Sequence, residues 1–106
     1  MRIAYTFRNL ESSESMKSYA GDKLAKLQKY VRTPLEVEVT FAVERHVRSV
    51  DVSLTSDGET YIGREENEDM YASIDLVVDK LKKQMVRNKG AQTARRRGDG
   101  REAVGE

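Results

Sequence analysis

Residues 69–89 read DMYASIDLVVDKLKKQMVRNK, and their spacing decides how the rest of the chain must fold. Met70, Ile74, Val77, Val78, Leu81 and Met85 recur at i+3, i+4 and i+7, which puts them on one stripe of an α-helix. A stripe of that width has to be covered by another layer. Lys80, Lys82, Lys83, Arg87 and Lys89 fall outside it, offset within the same turns by Asp79 alone. One element therefore supplies a core face and a concentrated positive end.

Upstream, the apolar period is two rather than 3.6. Over residues 35–44, Leu35, Val37, Val39, Phe41 and Val43 alternate with Glu36, Glu38, Thr40, Ala42 and Glu44. This is the longest predicted strand, with an acidic, small-residue face left for solvent. Arg45-His46 marks a bend. Val50, Val52 and Leu54 then alternate with Ser49, Asp51, Ser53 and Thr55 as a further strand. Asp57-Gly58 predicts a tight hairpin, because those residues accept positive φ, and residues 59–64 form a short last strand. Glu65, Glu66, Asn67, Glu68 and Asp69 read as an acidic loop suited to the positive end of the helix dipole.

The chain begins with another alternation, Ile3, Tyr5 and Phe7 against Arg2, Ala4, Thr6 and Arg8. Ser12 or Ser13 is placed to cap a first helix. That helix runs to about Tyr30 and buries Met16, Tyr19, Ala20, Leu24, Leu27 and Tyr30 or Val31. Gly21 inside it costs ~1 kcal/mol relative to alanine, which close packing would explain. Lys23, Lys26 and Lys29 follow at i+3 steps, as one drifting row beside the apolar stripe. Thr33-Pro34 ends the helical region, since the residue before proline avoids the α basin.

The order is strand, helix, three strands, helix. It predicts an α+β fold, a two-layer β-α-β-β-β-α sandwich with a four-stranded mixed sheet and both helices on one face. A right-handed crossover makes the first two strands parallel if they are neighbours; the other joins are antiparallel hairpins. Residues 1–89 form the α+β domain. Residues 90–106, GAQTARRRGDGREAVGE, have almost no apolar content and read as a disordered basic tail.

The formal net charge of +1 hides a polarised chain. Residues 78–97 carry eight basic side chains and one acidic one, whereas residues 1–77 carry ten basic and fourteen acidic. That is more than a helix dipole needs, and it points to a polyanionic partner. Other chemistry is scarce. With no cysteine, disulfides and thiolate catalysis are excluded. The single histidine, His46, sits at a predicted bend and reads as a surface residue before a general base. Residues 65–69 match no calcium loop, and neither a zinc cluster nor a glycine-rich phosphate loop is present. The reading is non-enzymatic, with no catalytic residue, no metal and no cofactor. No apolar run approaches the ~18 residues of a membrane-spanning helix. Lysines and arginines on neighbouring helices suit phosphates. With Tyr5, Phe7 and Phe41 assigned to the core, no aromatic strand surface remains to stack bases, so the shape of folded RNA is the expected target.

The segment Asp69-Met70-Tyr71-Ala72-Ser73-Ile74-Asp75, followed by Asp79-Lys80-Leu81 and Gln84, resembles the signature of bacterial ribosome hibernation-promoting factors. Arg8-Asn9 after the first strand and Lys23-Leu24-Ala25-Lys26-Leu27 in the first helix are similar to the same family. The resemblance covers residues 1–89, departing from it with Ser73 where alanine is usual. It implies a fold similar to a double-stranded-RNA-binding domain and a function in ribosome hibernation. The partners it implies are the small ribosomal subunit, with its 16S rRNA, and intact ribosomes. The protein would occupy the mRNA and tRNA channel between head and body, stop translation and protect idle ribosomes in the cytoplasm in stationary phase. No membrane and no small-molecule substrate is implied, and the isolated domain is expected to be a monomer. Carried over onto this sequence, the rRNA contacts are Lys23, Lys26, Lys80, Lys83 and Arg87, to which the charge pattern adds Lys29, Lys82 and Lys89. Arg8, Asn9, Asp69, Tyr71 and Asp75 belong to the signature. The chain is expected to be either a short form of the family or a piece of a long form that carries a dimerisation domain. A general double-stranded-RNA-binding module is the alternative reading, and a small protein-interaction domain resting on the acidic strand face is a third.

Overall fold

Strand β1 (Arg2–Arg8), helix α1 (Glu14–Ala25), strands β2 (Glu36–Glu44), β3 (Val47–Ser56) and β4 (Glu59–Asn67) and helix α2 (Met70–Arg96) follow one another along the chain. The computed structural model describes the backbone of residues 1–96 and the side chains of residues 1–88. The sheet order is β1-β2-β3-β4. β1 lies parallel to β2 with Phe7 opposite Phe41, and the other two pairs are antiparallel, with Phe41 opposite Val50 and Val52 opposite Gly63. This is the expected α+β architecture, a mixed four-stranded sheet under two helices. Because α1 returns the chain between parallel strands, and β4 runs with β2, both helices run against those strands and parallel to each other.

The alternation seen in sequence sorts the two faces of the sheet. Val37, Val39, Phe41, Val50, Val52, Leu54 and Tyr61 are buried beneath Met16, Ala20 and Leu24 of α1 and Met70, Ile74, Val77, Leu81 and Met85 of α2. Phe41 lies against Phe7 and Tyr5 with ring centroids 5.0 and 6.2 Å away. The other face carries Glu36, Glu38, Ser53, Thr55 and Thr60. Gly63 lets α2 come close: a Cβ there would stand 3.0 Å from Val77 Cγ2.

Strand β3, at 10 residues, outruns β2, at 9, which was expected to be the longest, and three further boundaries differ from the sequence reading. Helix α1 stops at Ala25 and continues as a 3-10 segment, Lys26–Tyr30, so Lys26 and Lys29 eclipse each other instead of drifting around an α-helix. Strand β4 extends to Asn67 and takes in Glu65 and Glu66, which were expected in a loop. Their pattern is of charge rather than hydrophobicity, and the pairing of Val50 with Glu65 is what makes them strand. Helix α2 runs to Arg96 instead of ending at Lys89. Ala91, Gln92, Ala94, Arg95 and Arg96 favour helix, and one glycine at 90 costs only ~1 kcal/mol against them. The expected tail is therefore helical in its backbone from 90 to 96, and its remainder, with Arg97, lies outside the described residues.

Local chemistry sets the joins. Ser13 is the cap of α1, its Oγ accepting from Met16 N at 3.2 Å. Asp69 caps α2 through Tyr71 N at 3.0 Å. Ser73 is fully buried, and its hydroxyl donates to Arg48 O at 2.8 Å, tying the start of α2 to the start of β3. Asp57 and Gly58 both have positive φ in the β3–β4 turn. The Asp57 carboxylate accepts from Arg32 N at 3.0 Å and Thr33 N at 2.9 Å, which fastens the loop after the 3-10 segment. Those backbone donors, Arg32 first, hold the Asp57 carboxyl below its ordinary value.

Gly21 has a steric cause. A Cβ there would stand 2.9 Å from the Tyr5 hydroxyl, which donates to Lys17 O at 2.8 Å. Gly21→Ala should therefore destabilise the protein, because crowding of ~1–3 kcal/mol outweighs a helix gain of ~1 kcal/mol. In a Tyr5→Phe background the same change should stabilise it, and a thermal-denaturation double-mutant cycle reads the coupling. For Asp57, a depressed carboxyl contributes stability that is complete above the ordinary aspartate range and lost as pH falls through the lowered value. Asp57→Ala should lower Tm at neutral pH, with the gap to wild type closing in acid.

Candidate nucleic-acid interface

The seam between the helices is polar at its surface. Tyr19 and Lys23 are one turn apart on α1, as are Tyr71 and Asp75 on α2, so each pair presents one side to the other. The Tyr19 hydroxyl donates to Asp75 Oδ1 at 2.7 Å, Lys23 Nζ lies 3.2 Å from the same oxygen, and the rings of Tyr19 and Tyr71 meet edge to face at 5.0 Å. The bond from Tyr19, and then that from Lys23, lowers the Asp75 carboxyl, and Asp75 in turn raises Lys23. Lys23 is thus on the same side of the molecule as α2, held at the seam with a carboxylate on it.

A second row of α2, Lys80, Gln84 and Asn88 at successive i+4 steps, serves the sheet. Lys80 Nζ lies 2.7 Å from Glu65 Oε2 and donates to Arg64 O at 3.2 Å. Gln84 Nε2 donates to Ile62 O at 3.0 Å, and Asn88 Nδ2 to the Tyr61 hydroxyl at 2.8 Å. Lys80 and Gln84 thereby satisfy carbonyls on the outer edge of β4, where another strand could otherwise add. Lys83 pairs with Asp79 at 3.1 Å on its own helix.

Four of the expected cations remain. Lys26, Lys29, Lys82 and Arg87 are exposed, and none has a carboxylate within 4.0 Å among the described residues. Lys29 stands 5.4 Å from the centroid of the Tyr30 ring. Because the helices are parallel, the chain beyond Lys23 carries Lys26 and Lys29 toward the end of α2 that holds Lys82 and Arg87. Lys89 lies in α2 by its backbone, and its side chain is outside the described residues.

The eight cations therefore do not form one uniform ridge. Three are drawn into ion pairs with carboxylates of the chain, and four have no such partner among the described residues. Arg64 adds nothing to the positive surface, being divided between Asp51 at 2.9 Å and Glu66 at 2.8 Å on the open face. The signature residues turn out to be joints. Asp69 caps a helix, Tyr71 and Asp75 hold the seam, and Asn9 has the positive φ of 65° that turns the chain out of β1 behind the exposed Arg8. Tyr19 was read as a core residue, and its bond to α2 was missed. The matched i+4 pairs on the two helices were the available signal, but the pairing of the helices was needed to use it.

A family model described as "Sigma 54 modulation protein / S30EA ribosomal protein" matches residues 3–93. A ribosome hibernation promoting factor from Salmonella typhimurium is 34% identical over 89 residues, covering 84% of this chain and 94% of that protein. One from Azotobacter vinelandii is 29% identical over 98 residues, covering 92% of each. Among solved structures, the N-terminal domain of Thermus thermophilus Protein Y superposes with a TM-score of 0.75 at 29% identity, over 80% of this chain and 96% of that one. A ribosomal subunit interface protein from Coxiella burnetii has the same fold, with a TM-score of 0.73 at 22% identity over 85% of this chain and 99% of that one. Sequence match and topology agree along the whole α+β unit: the chain belongs to the Sigma 54 modulation protein / S30EA ribosomal protein family.

Proposed function

We propose that this chain is a ribosome hibernation factor. It docks its helix layer on the 16S rRNA of the small subunit, in the mRNA and tRNA channel between head and body, and so silences and protects idle ribosomes in the cytoplasm. The observation that carries the reading is the set of exposed cations Lys26, Lys29, Lys82 and Arg87, without carboxylate partners among the described residues, in a chain of this family. Relatives named ribosome hibernation promoting factor support it. Catalysis has no part in the mechanism: the protein acts by occupancy, as a monomer, through phosphate contacts on a rigid surface.

Each contact displaces condensed counterions, so affinity should fall steeply with salt. The pairing pattern ranks the residues. Lys26, Lys29, Lys82 and Arg87 meet phosphate first. Lys23 and Lys83 join by sharing their carboxylate partners with the RNA, and Lys80 chiefly holds β4. Lys89, in the backbone of the same helix, is kept as a further contact on the charge pattern alone.

Pelleting with purified small subunits, against excess plain duplex RNA, tests the reading. Duplex RNA should compete poorly; competition equal to that of free subunits would favour a general double-stranded-RNA-binding module instead. Lys26→Gln with Arg87→Gln should reduce the slope of log affinity against log salt by about 1.4–1.8 and relieve inhibition in a translation extract. Lys80→Ala and Lys82→Ala should separate cohesion from recognition. The first should lower Tm more, and the second should weaken subunit binding more.

A further inference from the structure

At the end of the sheet away from Arg87 a second group of cations is exposed. Arg8 closes β1, Arg45 and His46 form the two-residue turn between β2 and β3, and Arg48 lies at the start of β3 opposite Val43. Arg8, Arg45 and His46 are exposed and Arg48 is half-buried. Arg48 Nη1 donates to His46 O at 3.3 Å, which holds its guanidinium beside the turn. None of the three arginines makes an ion pair among the described residues. The acids at this end are Glu44, beside the turn, Glu66, which is engaged by Arg64, and the exposed Glu68 and Asp69, which follow Asn67, the residue opposite Arg48.

The backbone at this turn is an independent observation. The described residues with positive φ are Asn9, Arg45, Asp57 and Gly58. Asparagine, aspartate and glycine are the residues that tolerate the left-handed region. Arg45, at φ 60°, is the exception. The β3–β4 turn answers the same demand with Asp-Gly, whereas the β2–β3 turn keeps a long cationic side chain where its backbone is disfavoured. Strain of that kind is retained where the side chain has a use. Of the exposed large apolar side chains, Met1, Ile62, Tyr71, Leu76 and Val86, none belongs to the turn, and Tyr71 in the first turn of α2 is turned to Tyr19, so the turn offers a partner charge and forked donors but no apolar anchor of its own.

The geometry points to this hairpin end as a second docking surface for an RNA phosphate backbone, on a strand other than the one met by the helix ridge. Ser73, bonded to Arg48 O, is fourteen residues before Arg87 on α2, about 21 Å along the helix axis. Along one helical strand that distance takes about six phosphates, at ~3.4 Å of axis each, so the two cation groups would meet well-separated phosphates. A rigid body with cations at both ends therefore fits a folded RNA that brings two strands or two helices within its span. Arginine suits the role, because its guanidinium forks onto phosphate oxygens. This inference deepens the proposed function and rests on it.

The test is binding to purified small subunits across a range of salt, with Tm measured on the same samples. The proteins are wild type, Lys26→Gln/Arg87→Gln, Arg45→Asn and Arg8→Gln/Arg45→Asn. Asparagine suits the left-handed turn, so Arg45→Asn should leave Tm equal or higher. It should still weaken binding, and the Arg8→Gln/Arg45→Asn protein should bind roughly tenfold more weakly, with the salt slope reduced by about 1.4–1.8. Wild-type affinity and slope in both hairpin variants, alongside a weakened Lys26→Gln/Arg87→Gln protein, would overturn the second surface and leave the function standing. So would a binding loss that appears only with a fall in Tm. A wild-type protein that does not bind subunits at all would remove the proposed function itself.

Discussion

The closing of α2 over the sheet is the constraint on which everything else rests. Ile74, Val77, Leu81 and Met85 are each about 1% exposed or less, and burying such side chains contributes about 1.5–3 kcal/mol apiece. That exceeds the about 0–1 kcal/mol of any exposed ion pair on the molecule, so apolar packing places the helix and charge adjusts it. Gly63 makes the closeness feasible, with Val77 and Leu81 standing over a position where a side chain would intrude. With α2 seated, α1 packs beside it on the same sheet through Met16, Ala20 and Leu24, the Tyr19, Lys23 and Asp75 contacts trim the seam, and the outer surface of the helix layer is defined.

That surface divides its charge between two tasks. Lys23, Lys80 and Lys83 face carboxylates of the same chain, and Lys80 also closes the edge of β4. Lys26, Lys29, Lys82 and Arg87 are left with counterions. A family signature rich in charged residues invites the reading that all of them touch the ligand. In this fold several are fastenings instead: Asp69 caps α2, and Tyr71 and Asp75 hold the seam.

A rigid α+β unit with cations at the far end of its helices and at the tip of a sheet hairpin is suited to span phosphates, not to grip a single strand. The acidic and small side chains of the open sheet face, among them Glu36, Glu38 and Ser53, leave that surface poorly matched to RNA. The recognition proposed above therefore uses the helix layer and the sheet's end and leaves the open face aside.

Much of this was legible in the sequence. Period-two alternation over residues 35–44 and 50–54 gave two central strands with the correct face inward, and the i+3, i+4 stripe from Met70 to Met85 named the buried side of α2, because local apolar spacing reports burial directly. Asp57-Gly58 announced its turn, since the φ requirement is local. What tertiary structure alone decided is where charged groups find partners. Glu65 belongs to a strand because Val50 lies opposite it, and Lys80 is committed because β4 passes beneath α2. Gly21 is required because a tyrosine sixteen residues earlier reaches its helix. Hydrophobic period is a property of neighbours along the chain, whereas an ion pair or a steric gap is a property of neighbours in space, and the second is set only after the first has folded the protein.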